Sequence, residues 1–64
     1  MLKFKVYKDS ADEWRWNLVV TNNGNIVADS GESYKNRKDC YSAIDTIKHG
    51  VSSETPVDQE YEVV

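Results

Sequence analysis

The stretch Trp14–Tyr34, WRWNLVVTNNGNIVADSGESY, restricts the possible folds more than any other part of the chain. Trp14, Trp16, Leu18 and Val20 occupy every second position, the period of a strand with one buried face. An Asn/Gly turn follows, then a second short apolar run, then a tight Ser30-Gly31 corner. A two-residue loop at Asn23-Gly24 would set Leu18 opposite Asp29 and put a carboxylate on the core face. A three-residue loop, Asn22-Asn23-Gly24 with Gly24 left-handed in a bulge, pairs Val20 with Ile26 and Leu18 with Ala28. Because a slip of one residue moves every side chain to the other face, the apolar pattern selects the three-residue loop.

Sixty-four residues make one small domain, spanning 1–64. A chain of this size buries only about 60% of the surface it exposes when unfolded, so a lone copy is marginally stable. One cysteine excludes an internal disulfide, and no set of metal ligands is present to staple the fold. Oligomerisation is the remaining route to more buried area. The opening MLKFKVYKD lacks the apolar run of a signal peptide and no membrane-spanning stretch follows, so a cytoplasmic protein is expected. A net charge of -3 argues against tight binding to nucleic acid or acidic membranes by the molecule as a whole.

Leu2–Lys8 alternates Leu2, Phe4 and Val6 with Lys3, Lys5 and Tyr7, a strand with an apolar and a basic face. The polar link Lys8–Glu13 suits a hairpin. Three strands then form an antiparallel meander whose inner face carries Phe4, Val6, Trp16, Leu18, Val20, Ile26 and Ala28. Tyr7, Val19 and Val27 fall on the outer face, either as ordinary exposed groups or as contacts for a partner. A helix is expected next. Asn36 is its N-cap and Asp39 favours its positive end. Cys40, Ala43, Ile44 and Ile47 form its apolar stripe, Lys48 and His49 suit its last turn, and Gly50 is a left-handed stop. Beyond Pro56, Val57, Gln59, Tyr61 and Val63 alternate with Asp58, Glu60 and Glu62. That pattern fits a fourth strand or a solvated acidic tail, and the apolar Tyr61, Val63 and Val64 favour the strand.

The runs F-x-V-Y-K-D (Phe4–Asp9), E-W-R-W-x-L (Glu13–Leu18), N-G-N-I-V-A (Asn23–Ala28), S-G-E-x-Y (Ser30–Tyr34) and I-x-x-I-K (Ile44–Lys48) resemble the YegP-like domain, a small family of unknown function. The similarity covers roughly residues 3–50. It implies a β-β-β-α-β unit of the α+β class, used as a tandem repeat or as two copies sharing one sheet and exchanging C-terminal strands. A single unit therefore implies a strand-swapped homodimer, with residues 57–64 crossing over and Tyr61, Val63 and Val64 at the interface. The Asn22-Asn23-Gly24 loop is one residue longer than the family's usual N-G turn. Asp12 and Ser33 stand where the family has glycine, and Asp tolerates a left-handed angle. No catalytic residues come with the resemblance.

The chemistry-bearing residues are few. Cys40 and His49, nine positions apart on one helix, point in opposite directions and lie about 13 Å apart along the axis, which excludes a dyad within a protomer. Cys40 reads as a small core residue and His49 as a helix-end cation. Trp14 and Trp16 read as aromatics under the helix, against the sharper alternative of a stacking platform. Lys3, Lys5, Tyr7 and Arg15 make a basic stripe that suits single-stranded nucleic acid, although the acidic balance and the single aromatic in the stripe oppose that reading. In a strand-exchanged dimer, Asp58, Glu60 and Glu62 would neutralise these cations instead. Glu32 and Tyr34 beside Gly31, with Arg15, are the candidates for a small ligand or an enzyme site at the Ser30–Tyr34 corner. The expectation is a non-enzymatic homodimer with an interaction or structural role, no cofactor and no metal.

Overall fold

The computed structural model describes residues 1–58. It contains β1 (Leu2–Lys8), β2 (Trp14–Val20), β3 (Ile26–Asp29) and α1 (Arg37–Gly50), an α+β arrangement. The strands form one antiparallel sheet in the order β1-β2-β3.

β1 and β2 pair as their alternation requires, with Phe4 opposite Leu18, Val6 opposite Trp16 and Lys5 opposite Asn17. The connection between them is held by Asp9. Its Oδ1 accepts the backbone N–H groups of Ala11 (2.9 Å) and Glu13 (3.1 Å), and Asp12 takes φ 62°. Asp12, which stands where the family has glycine, adopts the left-handed angle that Asp tolerates.

The β2–β3 turn differs from expectation. Its loop has four residues, Thr21 to Gly24: the Gly24 N–H donates to the Val20 carbonyl (2.7 Å) and the Val20 N–H to the Asn25 carbonyl (2.9 Å). Gly24 is left-handed as expected, with φ 73°. The extra residue places Ile26 opposite Val19 rather than Val20, on the outer face. A bulge at Val27 then restores the pairing of Leu18 with Ala28. Two irregularities therefore cancel, and only Ile26 changes sides.

α1 starts after Asn36, as the sequence suggests, although the Asn36 side chain makes no capping bond and instead donates to Asp39 Oδ2 at 3.3 Å. Gly50 is not a left-handed stop. The helix runs through it and closes at Val51, whose φ is -102° and whose N–H donates to the Ile47 carbonyl. No special backbone angle is required of Gly50.

The core lies between α1 and the centre of the sheet. Trp16, Cys40 and Ile44 are buried, with Phe4, Val6, Trp14, Leu18, Tyr34 and Ile47 packed around them. The Phe4 and Trp16 rings meet edge to face at 5.3 Å. Val19 is also buried, on the outer face between Lys3 and Ile26. Ile26 and Val27 remain exposed. No helix among the described residues is long and apolar enough to cross a membrane. The expected C-terminal strand, about 57–64, lies outside the described residues except for Val57 and Asp58, which are exposed and outside any strand.

Candidate interaction surface

Two features of β1 combine into a surface. The first is its edge. The Thr21 N–H donates to the Met1 carbonyl and the Asp9 N–H to the Glu13 carbonyl, so the odd-numbered residues of β1 exchange hydrogen bonds with β2. By the alternation of an antiparallel ladder, the backbone groups of Leu2, Phe4, Val6 and Lys8 then face the open side of the sheet.

The second is a groove. α1 packs against β2 more than against β1, which leaves the inner face of β1 partly uncovered. The resulting open groove has a volume of about 760 Å³; Leu2, Phe4 and Val6 line one side, and Tyr41, Ile44 and Val51 the other. The helix contributes the charged residues Asp45 and Lys48, and Lys3, an outer-face position of β1, borders the groove between Leu2 and Phe4. Leu2, Tyr41 and Val51 are 52%, 43% and 60% exposed, so among the described residues apolar surface lies beside a strand edge that none of them pairs.

The outer face carries the basic stripe, but its members are not equivalent. Arg15 Nε donates to Asp9 Oδ2 at 2.7 Å. That bond, followed by the Glu13 N–H, holds the Asp9 carboxyl below its ordinary range, and the same partner raises the Arg15 guanidinium. Lys3 and Lys5 are exposed and have no acidic partner among the described residues. Tyr7 is exposed beside them.

The ligand candidates do not converge. Tyr34 exchanges two backbone hydrogen bonds with Trp14 (2.7 and 2.8 Å), and its side chain packs on the inner cluster. Arg15 lies on the opposite face. Glu32 is exposed, and its carbonyl accepts from Ser30 Oγ at 2.7 Å, which ties the corner to itself. Ser33 Oγ donates to Glu13, fastening the corner to the start of β2. Tyr61, Val63 and Val64 lie outside the described residues.

Cys40 is fully buried and burial pushes its thiol up, while His49 is exposed near the far end of the helix. Trp14 is half-buried at the edge of the core, with Lys8 Nζ 5.0 Å and Arg37 Cζ 5.7 Å from its ring centre. Arg37 also lies 5.3 Å from the ring of Tyr41. Sequence reasoning missed this cluster, since Arg37 precedes the apolar stripe and carries no periodic signal. It also missed the role of Asp9, which appeared only in a polar link of hairpin length and at the end of the F-x-V-Y-K-D run.

Comparison with known proteins places the chain in a family. A UPF0339 protein of Neisseria meningitidis serogroup B is 39% identical over 54 residues, covering 84% of this chain and 91% of the relative. A UPF0339 protein of Treponema denticola is 35% identical over 46 residues, covering 72% and 76%. A protein from Haloferax volcanii, solved by NMR in solution, superimposes with a TM-score of 0.76 at 38% identity, covering 91% of this chain and 93% of that one. Residues 9–58 match the family described as a domain of unknown function, DUF1508, and the chain belongs to that family.

Proposed function

We propose that the chain is a non-enzymatic, homodimeric interaction module in which residues 57–64 of each copy add as a strand to the β1 edge of the other. The observation that carries this reading is the coincidence, among the described residues, of an edge at Leu2, Phe4 and Val6 that none of them pairs with the apolar groove beneath it. Strand addition satisfies both at once, because main-chain bonds fill the edge while alternate side chains fill the groove. The tail has an alternating pattern: Val57, Gln59, Tyr61 and Val63 share one face and Asp58, Glu60, Glu62 and Val64 the other. The YegP-like resemblance points to the same exchange. Against the alternative of single-stranded nucleic acid, Arg15 is already engaged by Asp9.

Sedimentation equilibrium of the full chain and of a chain ending at Pro56 tests the proposal. A dimer that becomes a less stable monomer on truncation supports it. An unchanged number of chains per particle and an unchanged melting temperature would count against it.

A further inference from the structure

The surface beside β1 has an asymmetry of charge that apolar docking does not require. The helix side of the groove carries one charge of each sign, Asp45 and Lys48. On the outer face, Arg15 is paired with Asp9 and Asp29 stands on the far strand opposite Asn17. The charges on that face of β1 itself are Lys3 and Lys5.

A strand laid along β1 places residues opposite Phe4 and Val6 on the groove side and residues opposite Lys3 and Lys5 on the outer side. With Val57, Tyr61 and Val63 turned to the groove, the acidic alternates fall beside the lysines. We infer that the β1 edge selects its incoming strand by charge, with Lys3 and Lys5 of one protomer set against the partner's Asp58, the partner's Glu60 and the partner's Glu62. This rests on the dimer reading above and adds what makes the exchange specific. An acidic alternating strand is accepted, and a neutral or basic strand of the same apolar pattern is rejected.

The test uses two full-length variants, K3E/K5E and D58K/E60K/E62K, studied separately and mixed in equal amounts by sedimentation velocity, with circular dichroism confirming that each stays folded. The altered residues among the described ones are exposed. Each variant alone opposes like charges at both exchange sites, and its dimer dissociation constant is expected to rise roughly 10-fold or more. In the mixture each tail meets an opposite-signed edge, so a heterodimer forms. The pair K35E/K38E with D58K/E60K/E62K carries the same charge change at exposed helix-side positions and is expected to form no such heterodimer. The wild-type dimer weakens as salt rises from low to high ionic strength.

A wild-type chain that is monomeric removes the dimer reading itself. A wild-type dimer whose two variants associate as tightly as wild type overturns charge selection while leaving the dimer standing. Variants that stay monomeric on mixing overturn it too, as does a control mixture that forms the heterodimer equally well rather than the K35E/K38E homodimer alone.

Discussion

Arg15 and Asp9 hold each other across the first hairpin, Nε to Oδ2 at 2.7 Å, while the other oxygen of the same carboxylate accepts the N–H groups of Ala11 and Glu13. One side chain thus closes the turn and fixes a cation on the outer sheet face. Asp9 is held below its ordinary value of 3.8, chiefly by the Arg15 bond. A carboxylate depressed in the folded state contributes stability that is fully present above its unfolded value and disappears as pH falls through the folded one. Melting temperature is therefore expected to drop as pH falls below about 4, and Asp9→Asn should flatten that acid limb while lowering stability at neutral pH. Identical acid limbs in thermal melts from pH 7 to 2 would remove this role.

Gly24 and Gly50 should respond to the same substitution in opposite directions. Gly24 is left-handed, so Gly24→Ala is expected to cost about 1–2 kcal/mol. Gly50 sits in the helix with open space where an alanine methyl would stand, and Gly50→Ala is expected to stabilise by about 0.5–1 kcal/mol. Urea denaturation measures both, and a loss of stability at Gly50→Ala would contradict the helix running through that residue.

Ile44 and Cys40 anchor the helix to Trp16. Ile44→Val should cost about 0.5–1.5 kcal/mol and Ile44→Ala about 2–5 kcal/mol, enough to unfold a domain with so small a core. With no exposed surface and its thiol pushed up by burial, Cys40 should react with a thiol reagent only as fast as the chain opens. Rapid labelling of the folded protein would show that the helix does not cover it.

Much of this architecture is legible in the sequence because period-two and helical spacing act over whole elements. β1, β2, the start of α1 and the core role of Cys40 all follow from such runs. The turn is not legible to the residue: Asn22, Asn23 and Gly24 permit several loops, and apolar alternation could not foresee that a bulge at Val27 would compensate a longer one. Gly50 misled because a glycine after Lys48-His49 resembles a left-handed stop, whereas Val51 closes the helix in extended conformation. The site was harder still. Arg15 alternates with Trp14 and Trp16, which places it on the outer face, but only folding reveals that Asp9 occupies its side chain. The groove depends on α1 favouring β2 over β1, a packing choice that no local pattern encodes.

Leu2 separates the role of the groove from that of the fold. It is 52% exposed, lines the groove and sits outside the buried cluster. Leu2→Lys should leave the circular dichroism spectrum unchanged while raising the dimer dissociation constant roughly 10-fold or more, since it removes apolar contact and sets a charge in the path of the incoming strand. Equal dissociation constants in sedimentation experiments would exclude the groove from the interface.

The native mass of the full chain in solution is the most direct measurement. Light scattering coupled to size exclusion, at tens of micromolar protein and low salt, should return twice the chain mass of 7.3 kDa, falling to the single-chain value when residues 57–64 are removed. A folded species of single-chain mass in both cases, 7.3 kDa for the full chain, would contradict the exchange of strands between copies.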